Sequence, residues 1–465
     1  MQNASENKIA AVQWAQAEFA SASLSDVRLV KRLKLIAANF ACQPKASIPK
    51  GCEGKWAQTK ATYRFFDNME VSAAAIMESH VEATRQRLRG QPVVLVVQDT
   101  TSLNFEGRAG TKGLGSIGTK LEGAQGMFAH SSLALTPERL PLGLVQAQVW
   151  CRKAEDFGRS HQRRGQPIEE KESCRWLKSY QATVELAGAQ PLTRWVNISD
   201  READFYELFE LAARTPEVGV LVRARHNRKL EDTTERMEEV LARQEPAGLV
   251  DLMVPRKSGA PAHRIQLEIT YAEVMISAPL LKGKTGHPAV RLWVVQAREI
   301  NPGGKTPLCW RLLTNLPVTD LASALEKVRW YASRWTIEEY HRVLKSGCGI
   351  EDRQLESAGR LKKVLALDRV VAWRILATSR AARQNEGQTV EEVLDKDEIE
   401  VLACLRKGRG QTEPMDLRTA TRTIAQMGGF LGRKGDGEPG PLTLWRGMQT
   451  LTHMTLAWRL HKTYG

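Results

Sequence analysis

The run Val93 to Asp99, VVLVVQD, decides how the rest of the chain is read. Its continuous apolar residues have strand length and no alternation, the pattern of a strand covered on both faces. It closes on Gln98 and Asp99. Before it, SAAAIMESHVEATRQRLRG reads as a helix, with Ser72 as N-cap and Gly90 as stop. After it, MFAHSSLALT and, past a PERLP turn, LGLVQAQVW read as two further strands. A charged segment at about 153–172 leads to a helix near Ser173 to Ala187 and then to the short strand RWVNIS, ending at Asp200. The helix EADFYELFELAAR and the strand GVLVRAR follow. Strand, strand, strand, helix, strand, helix, strand builds a mixed sheet with helices on its faces.

That order matches an α/β, ribonuclease H-like core, in which a final helix crosses the sheet and carries a last carboxylate. Here the helix is delayed by residues 227–313, which read mainly as β. RIQLEITY alternates, with Ile265, Leu267, Ile269 and Tyr271 on one face; RLWVVQA and CWRLLT are further strands. Arg256, Lys257, Lys282 and Lys284 make this insertion partly basic. The delayed helix opens near Thr319 or Asp320 and contains Tyr331 to Lys345, YASRWTIEEYHRVLK. At about 100° per residue, Tyr331, Arg334, Glu338 and Lys345 fall within an arc of about 60°. Arg342 and Trp335 flank that arc, and Ile337, Tyr340 and Leu344 face the other way. The expected organisation is a helical domain at 1–70, the sheet core at 71–370 and a helical domain at 371–465. In the first, Leu29, Leu33, Leu35 and Ile36 are candidates for burial, with Arg28, Lys31 and Arg32 on or near the exposed side.

Composition sets the bounds. The 465 residues allow two to four domains and a sizeable core. Hydrophobic content of 42% and charged content of 26% are ordinary for a soluble protein. Lys and Arg number 67 against 53 acidic residues, and the resulting +14 points to a polyanion such as nucleic acid. Seven cysteines form no CxxC pair, which excludes a disulfide framework or zinc ribbon and fits a reducing compartment. The N-terminal sequence has no secretory pattern, and no apolar run approaches membrane length, so the reading is a bacterial cytoplasmic protein, nucleoid-associated while acting, with no membrane partner.

Three carboxylates stand where this sheet order makes residues adjacent: Asp99, Asp200 and Glu338. Each has an ordinary reading alone. Asp99 is a strand-end turn residue, Asp200 caps the helix after it, and Glu338 pairs with Arg334 or Arg342 at four-residue spacing. Together they are a site for hard divalent cations, since crowded carboxylates repel one another unless a cation intervenes. Such a site serves phosphoryl transfer on nucleic acid.

QDTTSLNF around Asp99, DREADFYEL around Asp200 and YASRWTIEEYHRVLK together resemble the bacterial DDE transposases of the IS-four family, of the Tn-five type. The Tyr, Arg, Glu, Lys signature of that family is present as Tyr331, Arg334, Glu338 and Lys345. ATYRF, TNLPV, LASAL and MGGF extend the similarity over nearly the whole chain. The resemblance implies that Asp99, Asp200 and Glu338 bind two Mg²⁺ ions, with Mn²⁺ able to substitute. It implies that Tyr331, Arg334 and Lys345 hold the phosphates of a transposon end, and that Trp310 stacks on a flipped base; the ordinary fate of a strand Trp is core packing. It further implies phosphate contacts from His341, Arg342, Arg223 and Arg225, and from Arg32 and Arg64 in the N-terminal domain. The implied activity is cut-and-paste transposition: binding inverted-repeat ends of double-stranded DNA, cutting through a hairpin intermediate, and joining to target DNA as a homodimer. Two alternatives keep the fold, a catalytically inactive transposase-derived DNA-binding protein and a ribonuclease H-like nuclease without strand transfer. A sugar hydrolase using paired carboxylates fits the basic charge poorly.

Overall fold

The apolar periodicities become elements much as written. The computed structural model describes residues 11–107, 110–118, 123–153, 155, 166–254, 263–279, 287–302, 307–384, 390–394, 396–433 and 436–464. The chain opens with helices α1 (11–18), α2 (Val27–Cys42), α3 (Ile48–Gly51), α4 (Trp56–Asp67) and α5 (Ala73–Leu88). The Asp26 carboxylate starts α2 by accepting from the Arg28 N–H, and α2 buries Leu33, Ile36, Ala37 and Phe40. Leu29 and Leu35 are only half-buried, because the fully covered stripe is centred one turn away from them. Arg28 and Lys31 are exposed and Arg32 is half-buried. The Ser72 hydroxyl accepts from the Ala75 N–H at 3.0 Å as α5 begins. Gly90, with φ of 74°, takes the left-handed turn beyond its end.

Next come β1 (Val93–Asn104), β2 (Gly115–Ser116), β3 (Gln125–Leu135), β4 (Pro141–Trp150), α6 (Cys174–Gly188), β5 (Arg194–Ser199), α7 (Tyr206–Arg214) and β6 (Val218–Arg223). β1 and β6 both lie parallel to β5, and β4 runs antiparallel to β3. The spatial order β4, β3, β1, β5, β6 is that of a ribonuclease H-like sheet. Val94 to Val97 are fully buried, as an uninterrupted apolar run requires when both faces are covered. One detail differs: β1 continues to Asn104, so Asp99 lies inside the strand rather than at its end.

The insertion contains α8 (Met237–Ala242), β7 (Gly248–Val254), β8 (His263–Ile276), β9 (Val290–Ile300) and β10 (Cys309–Thr314). Its strands run antiparallel, and β10 pairs with β6, so the insertion prolongs the sheet to ten strands. Burial along β8 changes phase, from Ile265, Leu267 and Ile269 to Ala272, Val274 and Ile276. The two halves of β8 are therefore covered on opposite faces. Tyr271 is consequently half-buried, and its hydroxyl donates to the Thr319 carbonyl at 3.1 Å. Arg256, Lys257, Lys282 and Lys284 lie outside the described residues.

The delayed helix is not one helix. α9 (Leu321–Ala332) is opened by Asp320, which accepts from the Ser323 N–H. α10 (Trp335–Arg342) follows after a tightened turn. Across that turn the N–H groups of Ser333, Arg334, Thr336 and Ile337 each donate three residues back, at 3.0 Å. The Ser333 hydroxyl also bonds back to the Arg329 carbonyl at 3.2 Å, a contact that bends helices. Past α10, Val343–Gly347 loosens into a π-turn, with the Cys348 N–H reaching the Val343 carbonyl. A constant 100° per residue therefore fails on both sides of Glu338.

α11 (Ala358–Gln384), α12 (Val390–Val393), α13 (Lys396–Gly408), α14 (Leu417–Met427) and α15 (Pro441–Tyr464) complete the chain. Leu402, Ala420, Ile424, Leu444 and Leu451 form their shared core. A Cβ at Gly447 would stand 1.8 Å from the Ile424 carbonyl oxygen, so only hydrogen fits where α15 passes α14. The backbone gathers into two compact units. One holds Met1–Arg87, Ser102–Met127 and Glu339–Gly465; the other holds Leu88–Thr101 and Phe128–Glu338. The division falls inside α10, between Glu338 and Glu339. Among the described residues no helix is long and apolar enough to cross a membrane.

Candidate functional site

The second unit holds all three carboxylates. Val97 of β1 stands beside Ile198 of β5 in parallel register. Two residues on, Asp99 and Asp200 come level and, at a side-chain period of two, point to the same face. Burial pushes the Asp99 carboxyl up to about 7, against the pull of Arg334 and with added repulsion from Asp200 and Glu338. Asp200 also does what its ordinary reading allows, capping the turn at Arg201–Ala203 by accepting from the Glu202 N–H at 2.8 Å. Glu338 sits in the first turn of α10, with its side chain 53% exposed.

Arg334 is the centre of this arrangement. It sits in the tightened turn, donates to Glu338 Oε1 at 2.6 Å and stands 3.9 Å from Asp99 Oδ2. Its Nε is buried with no partner, and so is the Nε of Arg223 at the end of β6. Arg223 also donates to the Cys309 carbonyl at 3.1 Å. Both arginines act on the buried Tyr331 hydroxyl: burial raises its pKa, and Arg334 and then Arg223 oppose the rise. Tyr331 packs edge-on to Trp310 with ring centroids 5.1 Å apart, and Trp335 does so on the same ring system at 5.9 Å. Trp310 is 2% exposed, so in this conformation it is a core residue; Trp335 is the more accessible aromatic.

The opposite face of the same strand ends carries a polar network that sequence reasoning missed. Gln98 and Thr100 alternate with Asp99 and point to the α6 side. His130 on β3 bonds to both, through Nε2 to Gln98 Oε1 at 3.0 Å and through Nδ1 to the Thr100 hydroxyl at 2.8 Å. The Gln98 amide donates to Asn197 of β5, whose own amide donates to the Thr183 hydroxyl at 3.2 Å. Arg175 of α6 donates to Thr100 at 2.9 Å and to Glu202 at 2.5 Å. Gln98, His130 and Asn197 are fully buried. Polar residues interrupting apolar strands were the available signal, but the pattern cannot pair residues a hundred positions apart.

Other sequence-derived candidates lie differently. Arg225 is exposed, and its backbone N–H donates to buried Asp204 at 2.6 Å. Asp204 also binds the Arg228 side chain, which fixes the turn carrying Arg225. His341, Arg342, Lys345, Arg32 and Arg64 belong to the first unit. His341 is buried, whereas Arg342 and Arg64 are exposed. Lys345 falls in the π-turn, with its amine 3.6 Å from Glu351.

The donor set, carboxylate oxygens only, suits a hard divalent cation. Mutual repulsion at a half-buried Asp99 is the strain such an ion would relieve. Among the described residues no three His, Cys, Asp or Glu side chains stand at metal-holding distances, and Glu338 is paired with Arg334 instead.

Comparison with known families finds three matches. Residues 11–71 match the family described as Transposase DNA-binding. Residues 200–367 match Transposase DDE domain, and residues 370–465 match Transposase Tn5 dimerisation domain. Together they span more than two thirds of the chain. Asp200 and Glu338 fall within the second match; Asp99 precedes it, and its place rests on its register with Asp200.

Proposed function

The chain belongs to the DDE transposases of the Tn5 type, and we propose that it excises and inserts its element by a cut-and-paste route through a hairpin. Its domains make it a metal-dependent DNA nuclease and strand transferase that binds DNA and works as a homodimer. The finer reading is carried by one observation: Arg334 stands between Asp99 and Glu338, and Asp200 and Glu338 both repel the Asp99 carboxylate.

In this reading Asp99, Asp200 and Glu338 would hold two Mg²⁺ ions, for which Mn²⁺ would substitute. Bound there, such ions supply electrophilic polarisation of a phosphodiester and a more acidic water. The protein's own groups position the DNA. Arg334, Arg223 and Tyr331 grip phosphates beside the cut, with the two buried Nε–H groups reaching oxygens that replace the partners they lack. Lys345, His341, Arg342 and Arg225 extend the grip along the end, and Arg32 and Arg64 hold it further out. Trp310 meets a flipped base once its edge contacts with Tyr331 and Trp335 part. Water attacks the end phosphodiester and frees a 3′-hydroxyl. That hydroxyl attacks the opposite strand to give a hairpin, a second water opens it, and the 3′-hydroxyl then joins target DNA.

The domain roles follow as DNA binding by 1–70, chemistry by 71–370 and dimerisation by 371–465. A bacterial cytoplasmic setting, at the nucleoid during action, is in keeping with seven free cysteines. The test is incubation with the element's inverted-repeat ends, Mg²⁺ and a target plasmid. Hairpin ends and joined products are expected. Binding without cleavage would establish the inactive alternative, and nicks without hairpins or joining would establish a nuclease lacking strand transfer.

A further inference from the structure

The C-terminal helices form an open cavity of about 500 Å³ that the cutting chemistry does not use. Arg406, Gln411, Glu413, Arg422, Thr423 and Gln426 are among its lining residues. Arg406, on α13, is only 6% exposed. Its Nε has no hydrogen-bond partner, and no described residue forms a hydrogen bond or ion pair with its guanidinium. Arginine cannot escape burial by losing its proton. A charge taken out of water with no counter-charge is strongly disfavoured. The groups around it offset that charge only in part. Arg422 brings a second positive charge, already shared with the Gly437 carbonyl and Glu438. Arg409 occupies the Gln426 amide oxygen at 2.8 Å, which turns the amide nitrogen of Gln426 outward as a donor. Asp416 caps α14 through the Thr419 N–H at 2.7 Å and feels the Arg406 charge only weakly, with no hydrogen bond or ion pair between the two. Glu413, the one carboxylate of the lining, is exposed.

We infer that this cavity binds a phosphodiester of the DNA backbone, with the Arg406 guanidinium as its buried anchor and Arg422, Gln411 and Gln426 around it. Arginine's planar fork matches phosphate oxygens, and the cavity has room for a phosphate with its sugar. The net charge of +14 favours DNA over an acidic protein segment as the source of that oxyanion. The inference rests on the reading that the protein acts on DNA, and adds a contact on the unit that does not hold the carboxylates.

The full-length protein is tested with inorganic phosphate and with duplex DNA lacking the terminal repeats. Phosphate raises the melting temperature of wild type above that in chloride of equal ionic strength. Arg406→Met loses this rise, and the log–log salt slope of its duplex binding becomes shallower by about 1. Gln411→Glu, at an exposed position, gives the same losses should Arg406→Met fold poorly. A phosphate-induced rise that persists in Arg406→Met and Gln411→Glu overturns the site. A rise lost in the variants with an unchanged duplex salt slope means an adventitious ion only and overturns the DNA assignment. Weakened dimerisation with no phosphate response would mean the cavity takes a carboxylate of a second copy, which also overturns it. Wild type that fails to bind any duplex sinks the DNA reading itself, whereas binding that is identical in wild type and variants removes this site alone.

Discussion

At the ends of β1 and β5 the two faces of one sheet are built on opposite terms. On the α6 side, Gln98, His130, Thr100, Asn197 and Arg175 join strand to strand through neutral or matched hydrogen bonds. On the other side, Asp200 and Glu338 repel Asp99, Arg334 is shared between Asp99 and Glu338, and two arginine Nε groups have no partner. The first face pairs its charged groups and ties its strands together, with the buried Trp176 Nε1 against His130 as its one orphan among these residues. The second is a set of charges whose energetics improve only when something else arrives. The difference teaches that the polar face holds the strand ends rigid so that the acidic face can remain electrostatically unfinished.

The comparison can be broken at its strongest point first. Glu338→Ala should leave binding of the ends intact and lower nicking by about a thousandfold or more, read on end-labelled DNA. Nicking at the wild-type rate would remove Glu338 from the acidic face. Gln98→Leu attacks the polar face, since it removes the Gln98 bonds to Asn197 Oδ1 and His130 Nε2 and leaves those residues their bonds to Thr183 and Thr100. A loss of about 2–4 kcal/mol is expected in denaturant unfolding, and a loss under about 0.5 kcal/mol would show that the network ties nothing together. Asp99→Asn should act in the opposite sense on stability. A raised carboxyl pKa means the fold penalises ionisation; the penalty is absent below the ordinary carboxylate range, grows as pH rises and is complete above about 7. With metal chelated at pH 8, Asp99→Asn should therefore stabilise the protein by about 1–3 kcal/mol while abolishing cleavage. A destabilised variant would mean that Asp99 is not under strain. The smallest effect belongs to the cations: Arg334→Ala and Lys345→Ala should each weaken end complexes roughly tenfold and make the salt slope shallower by about 1. An unchanged slope would take the residue off the phosphate path.

How far the sequence reached depended on the range of the interaction involved. VVLVVQD announced a doubly covered strand, and the order of elements put Asp99 beside Asp200, because parallel pairing follows from connectivity. Caps at Ser72 and Asp320 were local and therefore readable. The segment Tyr331 to Lys345 misled, because its pattern assumes one helical pitch. Ser333 bonding back to Arg329 tightens the chain before Glu338 and the π-turn loosens it after, and neither shows in hydrophobic spacing. Trp310 had both of its readings in view, and burial between Tyr331 and Trp335 favours core packing in this conformation. The His130 network and the buried Arg406 were not legible at all, since each depends on side chains brought close only by the finished fold.

The insertion has a consequence for how the protein keeps to itself. A six-stranded sheet ending at β6 would present a row of unpaired N–H and C=O groups near the carboxylates, a template for any other extended chain. β10 covers that row, and the open margin moves out to β7, where an Asp251–Arg264 ion pair places charge at the edge. A shortened chain lacking residues between β6 and α9 would expose sticky backbone next to the carboxylates, and self-association would compete with DNA for that surface.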